Sequence, residues 1–216
     1  MTERSTQRTQ TIWVFDFDGT LTLKDIGDEV CDRFAPPAWR LIDEAWVRRE
    51  ISLPDAQRQM WALARCQRDE AVAYAKKVGH LRPGLSTLLD WIDTRGDAAW
   101  LASGGFDFYI EALLDGTLGR FSRQFFNRTA FVDGSVRVEF PHVELACKSC
   151  GVCKGRVCDL ARAAGVEVRF IGDGTSDRCA IGRAGVLYAV RGSTLARTCD
   201  ERGFTYVPFD RFEELI

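Results

Sequence analysis

Two aspartates separated by one residue follow a short apolar run near the start of the chain. The run 12–15 (IWVF) has the length and composition of a buried strand, and Asp16 and Asp18 come directly after it. Because side chains alternate along an extended chain, both carboxylates can reach one site while Phe17 points away from it. Two carboxylates this close repel each other unless a proton or a cation lies between them. The pair therefore favours a site for Mg²⁺, a cation that prefers oxygen ligands.

Three further segments supply groups that complement the aspartate pair. Ser103 and Gly104 follow a second apolar run and offer a hydroxyl and open backbone N–H groups to an anion. Lys154 begins a predicted helix and brings an ammonium group. Asp173 follows a third apolar run and adds a carboxylate for the metal, and Asp177 lies one helical turn later. Each group alone is common, but together, at successive strand ends, they predict a phosphate held beside Mg²⁺.

The elements that must position these groups alternate between strands and helices, which predicts an α/β fold with a Rossmann-like parallel sheet. A mostly helical block, interrupted at Pro36-Pro37, follows the first aspartates directly. We predict a core of residues 11–20 and 83–216 and a helical cap of residues 21–82 over the site. Residues 130–138, with Asp133-Gly134 at the turn, predict a small β-hairpin.

Composition narrows the classes of function. The chain has 216 residues, 46% of them hydrophobic, and a net charge of −2, so no basic surface points to nucleic acid. No apolar run reaches membrane-spanning length. Residues 1–10 are polar and lack the apolar centre of an export signal, so we expect a disordered tail and a cytoplasmic protein. The predicted partner is a small phosphorylated metabolite, and exposed cap aromatics would permit a homodimer.

A cysteine cluster precedes Lys154. Cys147, Cys150 and Cys153 are spaced by three residues, with His142 five residues upstream of the first. Three thiolates and one imidazole would complete a tetrahedral Zn²⁺ site. Free thiols, or a labile disulfide that responds to redox state, are the alternatives, and the spacing departs from that of iron–sulfur proteins. The remaining cysteines are interpreted as single buried thiols: Cys31, Cys66, Cys158, Cys179 and Cys199.

These motifs resemble those of the haloacid dehalogenase superfamily. The segments that carry the resemblance are Asp16-Phe17-Asp18-Gly19-Thr20, Ser103-Gly104-Gly105, Lys154 and Gly172-Asp173-Gly174-x-x-Asp177. The helical block resembles the small cap of the phosphoserine phosphatase branch. Within the superfamily the chain is similar to the phosphatases of methionine salvage, which act on 2-hydroxy-3-keto-5-methylthiopentenyl-1-phosphate. The segments that carry this second likeness are Phe34-Ala35-Pro36-Pro37-x-Trp39, Ser103-Gly104-Gly105-x-Asp107-Phe108, Pro141-His142 and Cys150-Gly151-x-Cys153-Lys154.

The resemblance implies a Mg²⁺-dependent phosphatase with defined roles for its motif residues. Asp16 would be the nucleophile that forms an aspartyl-phosphate, and Asp18 the general acid and base. Mg²⁺ would be held by Asp16, Asp173 and the backbone carbonyl of Asp18. The remaining roles implied are phosphate binding by Ser103, Gly104 and Lys154, phosphate or loop support by Thr20, and indirect metal support by Asp177.

Alternatives to the methionine-salvage substrate stay open. Dehalogenase chemistry displaces halide without Mg²⁺ and leaves Asp18 without a role. A phosphoserine phosphatase uses a cap acid and an arginine; Asp25 could be the acid, but Met60 stands where the arginine is expected. A phosphoethanolamine- or phosphocholine-type substrate would suit cap acids such as Asp25, Asp28 or Glu29. Two non-catalytic alternatives are a phosphate-binding module and a zinc-binding interaction protein built on the cysteine cluster.

Overall fold

The computed structural model describes residues 11–216, and the predicted tail of residues 1–10 lies outside this range. In the described part, seven strands form one sheet in the order β4-β3-β2-β1-β5-β6-β7. All neighbouring strands are parallel except the antiparallel pair β3 and β4. The strands are β1 (Thr11–Phe15), β2 (Ala98–Phe106), β3 (Phe121–Val132), β4 (Ser135–Glu139), β5 (Glu167–Gly172), β6 (Val186–Val190) and β7 (Val207–Phe209). The predicted α/β class with a parallel sheet is confirmed.

Four of the helices follow β1 before the chain returns to the sheet, and they fall within the predicted cap range. They are α1 (Ile26–Phe34), α2 (Trp39–Val47), α3 (Leu53–Leu63) and α4 (Arg68–Val78). The helices that pack with the sheet are α5 (Leu85–Thr94), α6 (Asp107–Leu113), α7 (Lys154–Arg162) and α8 (Thr194–Arg202). Within the described range, no helix is long and apolar enough to cross a membrane.

The central position of β1 explains why its apolar residues precede the chemistry. All five residues of β1 are buried, and β1 pairs with β2 on one side and β5 on the other. One face of the sheet packs around Trp13 and Phe15, and the other around Val14 and Phe170. Because the three central strands are parallel, their carboxyl ends meet at one edge of the sheet, where open α/β folds place their ligands.

Three details differ from or refine the sequence prediction. Strand β2 continues to Phe106 through an irregular register, so Ser103 lies inside the strand rather than after it. The segment after β5 that carries Asp177 is a 3-10 helix at Thr175–Ala180. The predicted hairpin is present, and Asp133 and Gly134 have φ of 49° and 73°, the left-handed pair that a tight hairpin turn requires.

Candidate active site

Asp16 and Lys154 meet at the centre of the sheet edge. The backbone N–H of Asp16 donates to the carbonyl of Ile171 in β5 at 2.9 Å, which fixes the end of β1. The Lys154 Nζ, at the first position of α7, lies 3.0 Å from Asp16 Oδ1. Only 1% of Lys154 and 4% of Asp16 is exposed, so this ion pair is shielded from solvent. Its charges therefore interact far more strongly than a surface pair would.

Lys154 has two further partners on the 3-10 helix at Thr175–Ala180. Its ammonium donates to Ser176 Oγ at 2.8 Å and lies 3.5 Å from Asp177 Oδ1. Burial lowers the pKa of Lys154, but the carboxylates of Asp16 and Asp177 outweigh burial and raise the pKa overall. The lysine therefore stays charged and ties α7 to the segment that follows β5.

Asp177 acts through the backbone of the loop after β5. Its Oδ2 accepts hydrogen bonds from the N–H groups of Asp173 and Gly174, both at 2.9 Å. The side chain is fully buried. Asp177 therefore fixes the loop that carries Asp173.

The carboxylates of Asp16, Asp173 and Asp177 form a group that fits a metal ion. One oxygen from each lies within 4.8 Å of the others. Burial, followed by the Asp177 carboxylate, raises the pKa of Asp173 to about 7 and raises that of Asp16 well above its usual range. Three carboxylates facing the single ammonium of Lys154 leave negative charge uncompensated in a buried place. A divalent cation held by Asp16 and Asp173, with Asp177 close by, would neutralise that charge, so the residues fit Mg²⁺.

Thr20 and Gly19 hold Asp173 from the other side. The Thr20 hydroxyl donates to Asp173 Oδ1 at 2.8 Å, and the residue is fully buried. The structure thus gives Thr20 a supporting contact with the carboxylate of Asp173. Gly19 has a φ of 75°, and a Cβ there would come within 2.7 Å of Asp173 Cγ. Only glycine allows this backbone conformation and this close approach together.

Asp18 is held by two donors, one of which the sequence interpretation missed. Its Oδ1 accepts from the backbone N–H of Ile26 at 2.9 Å, and its Oδ2 accepts from the Tyr109 hydroxyl at 2.9 Å. Burial, and then the neighbouring Asp25, raises the pKa of Asp18 well above its usual range. A Cβ at Gly105 would lie 2.6 Å from Asp18 Oδ2 and overlap the tyrosine hydroxyl. The second glycine of the motif thus makes room for the contact between Asp18 and Tyr109.

Ser103 and Gly104 line the same cavity as the aspartates. Ser103 Oγ accepts from the N–H of Gly105 at 2.8 Å. The Gly104 carbonyl accepts from the side-chain amides of Gln57 and Asn127, both at 2.8 Å. Gln57 belongs to α3, so this bond joins the inserted helices to the phosphate-binding motif predicted from the sequence.

The cavity at this edge has a volume of about 320 Å³ and extends between the sheet and the inserted helices. Its far side combines acidic and large apolar side chains from α1, α2 and α3. These are Asp25, Asp28, Cys31, Asp43, Trp46, Leu53, Met60 and Trp61. Among the residues that line it, Lys154 is the only cationic side chain. The cavity is therefore basic only where phosphate would bind.

The pKa values of the acids Asp28 and Asp43 on the far side of the cavity are raised. Burial, and then the carboxylates of Asp25 and Asp43, raises the pKa of Asp28 to about 8. Burial likewise raises the pKa of Asp43, although Arg40 opposes it. Asp25 is exposed and lines the cavity, and its Oδ1 accepts from the N–H of Asp28 at 2.9 Å. This region would bind a cation more readily than an anion.

The structure brings Cys147, Cys150 and Cys153 together, but the fourth residue beside them is Cys179 and not the predicted His142. The sulfurs of Cys147 and Cys153 lie within 4.8 Å of each other and of Cys179, and Cys150 is in hydrogen-bonding range of Cys153 and Cys179. His142 is outside this group; its ring packs against Phe125 and its Nδ1 lies 3.6 Å from Glu144. The interpretation of Cys179 as a solitary buried thiol is corrected by these contacts, since it lies half-buried among the cluster.

Comparison with known proteins finds one matching family model and several similar proteins. A family model described as haloacid dehalogenase-like hydrolase matches residues 13–181. The 2-hydroxy-3-keto-5-methylthiopentenyl-1-phosphate phosphatase of Geobacillus kaustophilus is 29% identical over 211 residues, which cover 96% of this chain and 94% of that protein. The bifunctional enzyme MtnB/MtnX of Bacillus licheniformis is 28% identical over 205 residues. The match covers 94% of this chain but only 47% of that enzyme, so the chain spans about half of its length.

Solved structures share the fold at lower sequence identity. A phosphoserine phosphatase with a phospho-aspartyl intermediate analogue superposes with a TM-score of 0.73 at 20% identity. That match covers 96% of this chain and 97% of the other. A substrate-bound phosphoserine phosphatase gives a TM-score of 0.73 at 18% identity, covering 97% and 98% of the two chains. At this identity the likeness establishes the arrangement of elements, and the leaving group has to be argued from the cavity.

Proposed function

The chain belongs to the haloacid dehalogenase-like hydrolases, and from this premise we propose that it hydrolyses a small phosphomonoester through an aspartyl-phosphate on Asp16. The superfamily and the hydrolase class predicted from the motifs are confirmed by the family match. The observation that carries the proposed chemistry is the buried contact of Lys154 with Asp16, beside an Asp18 that Tyr109 and Ile26 hold in place.

In the first step, an Asp16 carboxylate oxygen attacks phosphorus and the bond from phosphorus to the substrate oxygen breaks. Asp18, whose pKa is raised, gives its proton to the leaving oxygen. In the second step, water attacks the phosphorus, Asp18 takes the proton of that water, and the bond to Asp16 breaks. Free phosphate leaves and both carboxyl groups return to their starting states. Lys154 balances charge on the phosphoryl oxygens in both steps.

The residues that would hold Mg²⁺ are Asp16, Asp173 and the backbone carbonyl of Asp18. When bound, Mg²⁺ would neutralise the carboxylates and the phosphoryl oxygens so that their like charges do not repel. Thr20 and Asp177 orient Asp173 from its two sides. Helices α1 to α4 would act as a cap, residues 21–82, over a core of residues 11–20 and 83–216. Its closure would exclude water from the first step and select the alcohol that leaves.

One candidate substrate is 2-hydroxy-3-keto-5-methylthiopentenyl-1-phosphate. The support is the name shared by relatives that are 27–29% identical over most of this chain. The apolar part of the cavity, with Leu53, Met60 and Trp61, would suit a methylthio chain. This substrate leaves the acids of the far side without a partner.

A second candidate is a phosphate ester of an amino alcohol, such as phosphoethanolamine or phosphocholine. The acids Asp25, Asp28 and Asp43 line the cavity opposite Lys154, and Trp46 adds an aromatic surface that suits an ammonium group. Phosphoserine is less suitable because no arginine lines the cavity to pair with its carboxylate, and the buried Met60 occupies the expected position.

The test is phosphate release, with saturating Mg²⁺, from a panel of four substrates. They are 2-hydroxy-3-keto-5-methylthiopentenyl-1-phosphate (the ketoenol phosphate), phosphoethanolamine, phosphocholine and phosphoserine. The wild type is compared with Asp16→Asn and with Asp200→Asn, a control at an exposed position. We expect turnover by the wild type and the control and none by Asp16→Asn, and the preferred panel member identifies the leaving group. Wild-type turnover by Asp16→Asn would show that Asp16 is not the nucleophile. If none of the folded proteins releases phosphate from any panel member, these substrate classes are rejected.

A further inference from the structure

Four thiols from two separate segments meet beside the active site. Cys147, Cys150 and Cys153 come from the loop before α7, and Cys179 comes from the 3-10 helix after β5. The Cys147, Cys153 and Cys179 sulfurs lie within 4.8 Å of one another, and Cys150 lies in hydrogen-bonding range of two of them. None of the four forms a disulfide. We call this group the four-cysteine cluster.

We propose that the four-cysteine cluster is a tetrahedral Zn²⁺ site whose fourth ligand is Cys179. With zinc–sulfur bonds of about 2.3 Å, the sulfurs of a tetrahedral site lie about 3.8 Å apart, which the observed grouping accommodates with small adjustments. Binding replaces four S–H bonds by zinc–sulfur bonds and releases the four protons to solvent, without oxidation or reduction. A set of four protein ligands leaves no position for water, which is the arrangement of a structural site.

Backbone hydrogen bonds hold the loop that carries three of the proposed ligands. The N–H of Cys147 donates to the carbonyl of Cys150 at 2.9 Å, which closes a tight turn between the first two thiols. The N–H of Cys153 donates to the Leu145 carbonyl at 3.0 Å, and Cys153 is the N-cap of α7. The amino end of a helix favours a thiolate over a thiol.

One cation of the active site also favours bound thiolates, because the charge of Lys154 interacts with Cys150. A zinc ion with four thiolates carries a net charge of −2, which this ammonium group stabilises. Cys147 and Cys179 are half-buried, so a metal ion can reach the cluster from solvent, whereas Cys150 and Cys153 are buried.

The proposed zinc would join two segments that contribute to the active site. Cys153 immediately precedes Lys154, and Cys179 lies on the same 3-10 helix as Ser176 and Asp177, the partners of the lysine. The two segments already touch closely, since a Cβ at Gly155 would come within 2.9 Å of the Cys179 carbonyl carbon.

The cysteine loop also contacts the inserted helices. The Ser149 carbonyl accepts from the N–H of Leu53, which lines the cavity at the start of α3, at 3.0 Å. The four-cysteine cluster thus stands where α3, α7 and the Asp177 segment meet. We infer that the zinc positions Lys154 against the phosphate, a role that rests on the proposed function, whereas metal binding itself does not.

The first experiment measures zinc per chain by elemental analysis after dialysis against a weak chelator. The wild type is compared with Cys179→Ser, with His142→Ala, and with Cys158→Ser, a buried cysteine outside the cluster. We expect about one zinc per chain in the wild type, His142→Ala and Cys158→Ser, and at least a tenfold weaker retention in Cys179→Ser. Zinc lost from His142→Ala but kept by Cys179→Ser would overturn the ligand set.

A second experiment does not depend on a variant that folds. The reduced wild-type chain, stripped of metal, is titrated with Co²⁺ alone and followed by visible absorption and by counting reactive thiols. We expect the intense bands of tetrahedral cobalt–thiolate coordination at one equivalent, with four thiols protected. Absence of these bands, or four thiols lost to disulfides in the protein as purified, would overturn the proposal.

The positioning role is tested on the zinc-loaded and zinc-stripped wild type at saturating Mg²⁺. The readout is inhibition or binding by inorganic phosphate, which probes Lys154 even if no substrate has been identified. We expect stripping to weaken phosphate binding by about tenfold, and zinc, but not more Mg²⁺, to restore it. Unchanged phosphate binding by a stripped, folded chain would refute the positioning role. Failure of the proposed phosphatase activity would instead leave the zinc content and cobalt spectrum unaffected.

Discussion

Replacing Tyr109 by phenylalanine isolates the contribution of one hydrogen bond to the proposed acid–base residue. The Tyr109 hydroxyl donates to Asp18 Oδ2 at 2.9 Å, and 1% of this tyrosine is exposed. The ring packs on Phe108 and Phe17, contacts that phenylalanine preserves. The substitution therefore removes the hydroxyl and leaves one oxygen of Asp18 without its donor in a place that water reaches poorly.

The structure indicates the size and form of the effect. A buried hydrogen bond to a charged group contributes about 1.5–3 kcal/mol, so we expect kcat to fall about 10- to 150-fold. The hydroxyl also lowers the pKa of Asp18, and its loss should raise that pKa further. Protonation of the leaving group tolerates this change, but removal of a proton from water requires ionised Asp18. The aspartyl-phosphate should therefore accumulate, and the acidic limb of the pH–rate profile for its hydrolysis should move to higher pH.

The assay is rapid-quench measurement of phosphoenzyme and free phosphate across pH. Tyr206→Phe is the matched control, because its hydroxyl also donates to an aspartate, Asp200, but at 3.3 Å and on the surface. If Tyr109→Phe keeps kcat within twofold of Tyr206→Phe and its pH profile does not move, Tyr109 does not position Asp18, and the reasoning from this contact fails.

Two further predictions concern the glycine beside the metal group and the acids of the cap. Gly19→Ala and Gly116→Ala place alanine at the same φ of 75°, so each should lose about 1–2 kcal/mol of stability, but only the Cβ at Gly19 meets Asp173. Only Gly19→Ala should therefore need more Mg²⁺ for half-maximal phosphate release, and equal Mg²⁺ dependence would contradict the fit. Burial raises the pKa of Asp28 from 3.8 to about 8, so the stability it contributes is complete below pH 3.8 and is lost as pH rises through 8. After solvent screening, Asp28→Asn should gain on the order of 1 kcal/mol over the wild type between pH 5 and pH 9 in thermal unfolding, and a gain that does not depend on pH would refute this.

The parts of the site that the sequence predicts are those that local order determines. Asp16 and Asp173 end parallel strands next to each other, so their meeting follows from the sheet alone. Lys154 was predicted at the start of a helix, and the structure places it there, 3.0 Å from Asp16. The α/β class and the hairpin followed from the alternation of apolar runs and from the Asp-Gly turn. The core and cap boundaries and the catalytic roles stay predictions.

The parts that the sequence does not predict depend on contacts between distant segments. Tyr109 lies 91 positions from Asp18 and stands in an apolar helix, where an aromatic residue is expected to be core. Cys179 lacks a neighbouring cysteine, so spacing favoured His142, which is closer along the chain. Only the packing of α7 against the segment after β5 brings Cys179 to the other thiols. Periodicity and spacing carry no information on such a meeting.

The acids that line the far side of the cavity bear on which alcohol leaves, a question that the names of the relatives do not settle for this chain. The groups at the sheet edge, such as Lys154 and Asp173, would contact phosphate and metal, so they bear on the proposed reaction and not on the identity of the alcohol. The alcohol would lie against Asp28 and Asp43, which share the cavity with no cation except the distant lysine. Placing carboxylates together in a half-buried cavity costs free energy, which a cationic substrate would recover. The leaving group should therefore be sought first among amino alcohols, even though the named relatives act on a ketoenol phosphate.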